Sequence, residues 1–259
     1  MMFFYEEINS IKRIFKFYVP EYETIVFGGK MGELRLVKQE MSIDKSEILP
    51  LNMLRDYLSS NEIIACTFRG KEDIHIIQNL IKSGFDFIAT YNSIEVDEKS
   101  FKKIKISANL EVCKAEVDSF NDILKLESDV FDYSTFQIDN RFENSVTAYR
   151  NALRVKSYFD KPGHYASIIK SSGKVAGFLQ FKIDFENKIA DCVNGAIHEK
   201  FQGLFVGPKL YSDSFVSIFN LGIDRITGGY CTQNYPVAKI FKTCNFRITN
   251  QEIHLRIKI

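Results

Sequence analysis

The stretch of sequence that decides the fold runs from Gly195 to Leu210 and reads GAIHEKFQGLFVGPKL. The apolar residues up to Ile197 are typical of a strand, Gly203 and Gly207 follow in a loop, and the apolar spacing after them is typical of a helix. A strand that enters a helix through such a loop aims backbone N–H groups and the positive end of the helix dipole at one point, which suits a phosphate or pyrophosphate. Ordinary strand-to-helix crossovers share this pattern, so the stretch alone leaves both interpretations open.

Around this stretch, the second half of the chain alternates helices and strands. Three strands between 164 and 197 are joined by short turns, which predicts a meander. We predict strands at 110–113, 164–170, 175–185, 188–197, 225–231, 246–249 and 252–257, and helices at 119–130, 139–156, 210–221 and 236–242.

The first half of the chain forms a second block of the same kind. We predict strands at 24–27, 33–38, 62–68 and 85–96, and helices at 50–58 and 71–83. Between the blocks, residues 98–105 carry five charges without a clear period, which is typical of a linker. We therefore predict an N-terminal α/β domain at 1–105 and a second domain at 106–259.

Length and composition describe a folded protein. The chain has 259 residues, of which 45% are hydrophobic and 26% charged, so it can bury a sizeable core. Lys and Arg number 34 against 33 Asp and Glu, and the net charge of +1 provides no global field for nucleic acid or an anionic membrane. The longest stretch without a charge, 226–238, is too short to span a bilayer, and the acidic start does not resemble a secretory signal. We expect a cytoplasmic protein with no nucleic-acid and no membrane partner, and the sequence leaves a homodimer open.

The five cysteines are odd in number and lie far apart. No pair has the spacing of a zinc knuckle or a dithiol redox site, so we expect reduced, partly buried thiols and no metal.

Two segments together resemble the GNAT acyltransferase superfamily. The first, Gly195 to Leu210, resembles motif A of that superfamily, and the second, Thr232 to Phe246, resembles its other cofactor-side segment. The positions of the first segment in register with motif A are Ile197, His198, Phe201, Gln202, Gly203, Val206, Gly207 and Leu210. The element order of the second block also resembles that of the superfamily. The resemblance implies an α/β fold of GNAT type with a mixed, splayed central sheet, preceded by a smaller α/β N-terminal domain.

The first block resembles a narrower group. Residues 76–90, followed by 94–96, are similar to the N-terminal domain of dTDP-fucosamine N-acetyltransferases. This resemblance implies that acetyl-CoA is the acyl donor, that the acceptor is the amine of a nucleotide-linked, dTDP-type amino sugar, and that the N-terminal domain lies on the acceptor side.

The resemblance also implies roles for individual residues. The N–H of Ile197 would face the thioester oxygen, and the side chain of Asn234 would bind the pantetheine, although a cap for the following helix is an equally open role for it. Phe241 stands at the cofactor-side position of the tyrosine that is usually the general acid, so Tyr230 and Tyr235 become the candidate acids. The pyrophosphate would be held by the backbone of Gln202, Gly203, Leu204, Phe205, Val206 and Gly207.

Three residues depart from the superfamily pattern. Phe205 replaces the usual glycine, Pro208 removes one N–H beside the phosphates, and Phe241 replaces the usual tyrosine. His198 is either a base acting through water or a residue that caps its own turn. The carboxylates expected to orient the amine are Asp139 and Glu143 on the predicted long helix and Asp191 on the central strand.

Two alternatives remain open at this point. A GNAT enzyme with a different amine as its acceptor would keep the same donor site. A non-catalytic acyl-CoA-binding module would explain the three departures without turnover.

Overall fold

The computed structural model describes residues 2–8, 11–37, 48–71, 73–106, 110–126, 134–157, 159, 161–203 and 205–259. By its contacts the chain divides into two compact units. The first unit contains Met1–Tyr91, Ile138–Arg141 and Gln251–Ile259, and the second contains Asn92–Gln137 and Phe142–Asn250. The division therefore falls within two strands and not in the charged segment at 98–105, because the end of the chain returns to pair with strands of the first unit.

The first unit has a sheet with one apolar face. Its elements are β1 (Met2–Ile8), β2 (Ile11–Tyr18), α1 (Glu21–Phe27), β3 (Lys30–Leu36), β4 (Ile48–Pro50), α2 (Leu54–Ser60), β5 (Ile63–Gly70), α3 (Ile74–Lys82), the start of β6 (Asp86–Asp97) and the end of β12 (Arg247–Lys258). The strand order is β4-β1-β2-β3-β5-β12-β6. The buried core of this unit includes Phe15, Phe68 and Leu255 from the strands together with Leu58 and Leu80 from α2 and α3.

The second unit has a mixed sheet. Its elements are β7 (Glu111–Lys114), α4 (Phe120–Leu126), α5 (Asn144–Ser157), β8 (His164–Ser171), β9 (Lys174–Asp184), β10 (Ile189–Ile197), α6 (Val206–Phe219), β11 (Arg225–Cys231) and α7 (Tyr235–Thr243), with the remaining parts of β6 and β12. The strand order is β12-β6-β11-β10-β9-β8-β7. Strands β7 to β10 are antiparallel, as the predicted meander requires, whereas β10 and β11 are parallel. The prediction of an α/β fold with a mixed sheet is confirmed.

Two buried clusters lie in the second unit. The larger cluster includes Leu210 and Phe215 of α6 and Phe241 of α7, packed with strand residues such as Leu179. A smaller cluster joins Ile123 of α4 and Val155 of α5 to Phe178 and Ala196 on β9 and β10. Because Phe178 and Leu179 are neighbours on one strand, they point to opposite faces, so the helices of this unit cover both faces of its sheet.

Several predicted boundaries are wrong. Residues 24–27 are helical, since α1 ends at Gly28, which has a φ of 65° and forms a left-handed cap. The hairpin of β1 and β2 was not predicted at all. Helix α5 begins at Asn144 and not at Asp139, because the carbonyl of Glu143 accepts the first hydrogen bonds of the helix, from the N–H groups of Val146 and Thr147 at 3.1 Å each.

Other differences are smaller. Helix α6 begins at Val206, four residues before its predicted start, and the last two predicted strands form the single strand β12. The end of the helix predicted at 119–130 lies outside the described residues beyond Leu126. Within the part of the chain that the structure describes, no helix has both the length and the apolar character needed to cross a membrane.

Candidate active site

The strands β10 and β11 part in the middle of the sheet of the second unit. Their parallel pairing runs from Ile189 opposite Arg225 to Cys192 opposite Gly228 and is not continued, although β10 extends to Ile197. At the same place the register between β9 and β10 slips between Cys192 and Asn194, so Val193 is the extra residue of a β-bulge. A bulge bends its strand, and beyond this one the residues of β10 no longer pair with β11.

The parting leaves backbone groups of β10 turned toward the gap. The N–H of His198 donates to the carbonyl of Ala176, at the end of the pairing with β9, over 2.9 Å. Since successive N–H groups of a strand point to opposite edges, those of Ile197 and Gly195 point to the edge from which β11 has departed. This is the orientation that the predicted role of Ile197 requires.

The first turn of α6 lies against the end of β10. A Cβ atom added to Gly207 would lie 2.7 Å from Cδ1 of Ile197 and 3.4 Å from Cδ1 of Ile240, so the side chain of Ile197 would have to move to admit it. The N–H of Lys209 donates to the carbonyl of Phe205 over 3.1 Å and begins the helical pattern. Because the first N–H groups of a helix have no intrahelical acceptor, those of Val206 and Gly207 remain as donors at this end.

Pro208, one of the three residues that depart from the superfamily pattern, does not disturb helix α6. Pro208 is the third residue of α6, within the first turn, where the N–H it lacks has no intrahelical acceptor. Its presence leaves one donor fewer for an anion.

Phe205 is held in a backbone conformation that glycine prefers. Its φ is 60° and its ψ is 3°, and it caps α6 without a side-chain hydrogen bond. The residue is 66% exposed, so its ring gains little from burial. The left-handed conformation explains why a glycine would be expected here.

The remaining loop residues have more local roles. The N–H of Gln202 donates to the carbonyl of Glu199 over 3.0 Å, and its side-chain Nε2 donates to the carbonyl of Ile197 over 3.4 Å. Gly203 has a φ of 79° and open space around it. Leu204 lies outside the described residues. His198 caps the turn that follows it, because its Nδ1 accepts from the N–H of Lys200 over 3.1 Å.

Asn234 and Tyr235 lie at the start of α7. The side-chain Oδ1 of Asn234 accepts from the N–H of Val237 over 3.3 Å, so the residue acts as the helix cap that the sequence left open. Tyr235 is 75% exposed.

Phe241 is buried in an aromatic cluster that we define as Tyr211, Phe215, Tyr230, Phe241 and Phe246. Its ring centroid lies 5.8 Å from that of Tyr230 in a stacked arrangement and 5.5 Å from that of Tyr211 in an edge arrangement. The hydroxyl of Tyr230 accepts a hydrogen bond from Nδ2 of Asn92 over 3.2 Å. Burial raises the pKa of Tyr211, so its phenol stays neutral.

The three predicted carboxylates have different surroundings. Asp139, in the first unit, is 2% exposed at its side chain, and its oxygens accept from Arg141 at 2.7 Å and from Arg256 at 2.9 Å. Burial alone would raise the pKa of Asp139, but the hydrogen bond from Arg141 and the charge of Arg256 outweigh it and hold that pKa below its ordinary value. In the second unit, Glu143 is exposed just before α5, and Asp191 on β10 accepts from the hydroxyl of Thr227 over 3.0 Å.

The thiols near the parted strands are poor nucleophiles. Burial raises the pKa of Cys231 to about 11 and also raises that of Cys192, so both stay protonated near neutral pH. An acyl-enzyme on either sulfur is therefore disfavoured. Within the described residues, no group of three or more His, Cys, Asp and Glu side chains could hold a metal ion.

The sequence interpretation overlooked two residues beside the bulge. Arg154 on α5 donates to the carbonyl of Val193 over 3.0 Å, and the fully buried Gln180 on β9 lies opposite Asn194. A glutamine within the otherwise apolar run from Ala176 to Phe181 is a signal that could have identified Gln180. Nothing in the sequence shows that a carbonyl at Val193 needs a donor.

Solved structures with the same fold include N-acetyltransferases. A GCN5-related N-acetyltransferase from Sphaerobacter thermophilus has a TM-score of 0.64 at 6% identity, covering 95% of this chain and 76% of that one. A second from Kribbella flavida has a TM-score of 0.55 at 9% identity, covering 88% and 85%. A conserved protein of unknown function from Staphylococcus epidermidis has a TM-score of 0.63 at 8% identity, covering 92% and 89%.

These likenesses concern the fold. The chain has the mixed α/β fold of GNAT-type structures, as the two sequence segments predicted, and the identities are too low to carry an activity across. No family model matches the sequence, and no curated protein matches it significantly.

Proposed function

We propose that this protein is an acetyl-CoA-dependent N-acyltransferase. The observation that carries the proposal is the parting of β10 from β11 after Cys192 and Gly228, with the first turn of α6 packed against the end of the freed strand. An extended pantetheine arm matches the open strand edge, and the donors that begin α6 match a pyrophosphate. Gly207 agrees with this fit, because its lack of a side chain lets the first turn of α6 lie close to the side chain of Ile197.

Acetyl-CoA supplies the acetyl group as a thioester, and the residues of this chain position it. The N–H of Ile197, turned into the gap, donates to the thioester oxygen as negative charge develops there. A backbone donor fixed before the reaction needs no reorganisation, which is why such donors contribute strongly to acyl transfer. The N–H groups of Val206 and Gly207 bind the pyrophosphate together with the dipole of α6.

Residue 241 is a phenylalanine, so it cannot donate the proton that the leaving thiolate needs. The leaving thiolate is a modest base, since a free thiol has a pKa of about 8.5, and it accepts a proton from solvent or from a nearby phenol. Tyr230 and Tyr235 are our candidates for that phenol. Tyr235 is the more exposed of the two, whereas the hydroxyl of Tyr230 already holds a hydrogen bond from Asn92.

A backbone-directed substitution tests the role of Ile197. The variant Ile197→Pro removes the N–H without breaking the pairing with β9, because that N–H points to the opposite edge. We expect kcat to fall by about 100- to 1000-fold, as for the loss of one oxyanion donor. The matched control Ile197→Ala keeps the N–H and should lose far less activity. Equal losses in the two variants would refute this role for the backbone donor.

For the acceptor, we propose the amine of a nucleotide-linked, dTDP-type amino sugar. Support comes from the resemblance of residues 76–90 and 94–96, which lie mostly in α3 and β6, to the N-terminal domain of enzymes that act on such sugars. Exposed Glu143 and Asp191 are the carboxylates we assign to orienting the amine. Asp139 is a weaker candidate, since two arginines occupy its oxygens.

The experiment is mass spectrometry of acetylated product from a panel of sugar nucleotides that carry amines, with simple amines and peptides beside them. Acetylation confined to the sugar nucleotides supports the proposal. Acetylation of another amine would keep the enzyme class and replace the acceptor.

A non-catalytic acyl-CoA-binding module is the second candidate. It is favoured by the burial of Phe241, which is 3% exposed among aromatic rings where the usual general acid would stand. Such a module binds acetyl-CoA and releases no CoA with any amine, so an assay for released CoA separates the two candidates.

We further propose a cytoplasmic location and a small-molecule partner. All five cysteines are free, which agrees with a reducing compartment. Sedimentation would test the homodimer that the sequence leaves open.

A further inference from the structure

The bulge in β10 is held from one side by helix α5. The terminal nitrogen of the Arg154 guanidinium donates to the carbonyl of Val193 over 3.0 Å. Val193 is the residue that the pairing with β9 skips, so its carbonyl has left the regular ladder and needs another donor. A charged, multiply donating guanidinium is a strong partner for such an oxygen.

A second link joins the same two places. The fully buried side chain of Gln180 donates from Nε2 to the carbonyl of Val155 over 3.1 Å, and its Oε1 accepts from Nδ2 of Asn194 over 3.5 Å. The carbonyl of Val155 is one of the last four of α5 and has no intrahelical donor. Neighbouring residues of α5, Arg154 and Val155, are thus connected to neighbouring residues of the bulge, Val193 and Asn194.

The hydrogen bonds of Arg154 and Gln180 lie where β10 leaves β11, so they affect the direction of the strand segment that lines the gap. Val193 is the first residue of β10 beyond the pairing with β11, and the N–H that we assign to the thioester oxygen follows four residues later, at Ile197. A change in the bulge alters the direction of the whole freed segment, and a small displacement of a fixed donor is enough to weaken its action on a reacting oxygen.

We propose that Arg154 is a positioning residue, which fixes the bulge through the Val193 carbonyl and so aims the N–H of Ile197 into the gap. The inference rests on the proposed function for its catalytic consequence, whereas its structural half concerns this chain alone. Arg154 acts through the backbone of β10 and does not contact the substrate. Gln180 supports it by fastening the end of α5 to the same strand.

Three variants test the proposal. Arg154→Met removes the guanidinium donor and keeps most of the apolar stem, whereas Arg154→Lys keeps the positive charge and a single donor nitrogen. Lys156→Met is a control at an exposed position of the same helix. Each variant is compared with the wild type by the amide exchange and chemical shift of Ala196 and Ile197, by the Kd for acetyl-CoA, and by kcat and KM for the acceptor.

For Arg154→Met we expect the Ile197 amide resonance to shift, and the Ala196 amide, whose N–H faces β9, to exchange at least about tenfold faster, since this strand end is less fixed. We expect kcat to fall by about tenfold or more, with the acceptor KM and the Kd for acetyl-CoA changed by less than about threefold, as for loss of a transition-state interaction. Arg154→Lys should recover part of kcat, and Lys156→Met should match the wild type.

The proposal is overturned if the Ile197 amide is unchanged in Arg154→Met, or if kcat falls no further than in Lys156→Met. A loss of thermal stability without either effect would assign Arg154 a purely structural role and also overturns it. If Arg154→Met does not fold, Arg154→Lys carries the same comparison. If the wild type neither binds acetyl-CoA nor turns over, the proposed function fails, and the amide measurements still decide whether Arg154 fixes the bulge.

Discussion

The left-handed residue that caps α6 provides a sharp test of the loop geometry. Phe205 has a φ of 60°, where a Cβ atom costs about 1 to 2 kcal/mol and glycine is nearly free of that cost. We compare Phe205→Gly with Phe205→Ala. Both variants lose the ring, but only the glycine variant also loses the strained Cβ.

The expected changes in the free energy of unfolding follow from the exposure of the Phe205 side chain. Phe205 is 66% exposed, so about one third of a side chain of roughly 200 Å² is buried, and its loss costs at most about 1.5 kcal/mol. Relief of strain in Phe205→Gly offsets a similar amount, which leaves its free energy of unfolding within about 1 kcal/mol of the wild type. Phe205→Ala has no such relief, and the two variants should differ by about 1.5 kcal/mol.

Thermal unfolding measures this difference. For a chain of this size about 1.5 kcal/mol corresponds to a Tm difference of about 3 to 6 °C, with Phe205→Gly the more stable variant. Acetyl-CoA should bind both variants through the same backbone donors. Equal Tm values, or a higher Tm for Phe205→Ala, would contradict the left-handed assignment and the account of this loop.

Three further predictions concern other positions. Gly207→Ala places a Cβ 2.7 Å from Cδ1 of Ile197, so that side chain must move and we expect calorimetry to show acetyl-CoA bound at least about threefold more weakly; an unchanged Kd would contradict a role for this contact in the donor site. Burial lowers the pKa of His254 below its ordinary value near 6.5, so the contribution of His254 to stability is constant above about pH 6.5 and falls as the pH decreases from there toward the lower folded value. In a Tm series from about pH 7 to 5 the wild type should fall more steeply than His254→Phe, and parallel curves would refute this prediction. Phe241→Tyr should alter the rate of CoA release by at most about tenfold. A wild type that releases no CoA, beside a Phe241→Tyr variant that does, would identify a site that has lost its general acid.

The stretch from Gly195 to Leu210 was predictable because its signals are local. Apolar residues mark the strand, and glycines mark the loop and the close approach of helix to strand. The direction of the Ile197 N–H was implied by the family resemblance, and the backbone now supports it through the His198 hydrogen bond to Ala176.

Partners that are distant along the chain were not predictable. Asp139 was expected on a helix facing an amine, but its carboxylate is bound by Arg256, which lies 117 positions away. Likewise, the hydrogen bond from Arg154 to Val193 depends on where a bulge forms, and the position of a bulge is a property of strand pairing and not of one short segment.

The division of the chain also depends on distant pairing. The segment at 98–105 has the composition of a linker, yet the final residues 251–259, which include the end of β12, belong with the first unit. Their pairing with β5, from Ile253 opposite Gly70 to Lys258 opposite Ala65, joins segments more than 180 positions apart. Local charge and periodicity contain no information about such a return.

The proposed function requires that the gap between β10 and β11, with the start of α6, binds acetyl-CoA. Isothermal titration of the full chain with acetyl-CoA, and with ADP as the ligand that lacks the pantetheine arm, tests it most directly. We predict measurable heat and single-site binding for acetyl-CoA, with a stabilisation of about 2.7 kcal/mol at a concentration 100 times Kd, and much weaker binding of ADP. No heat from acetyl-CoA, together with no rise in Tm at millimolar concentration, would contradict the proposed function.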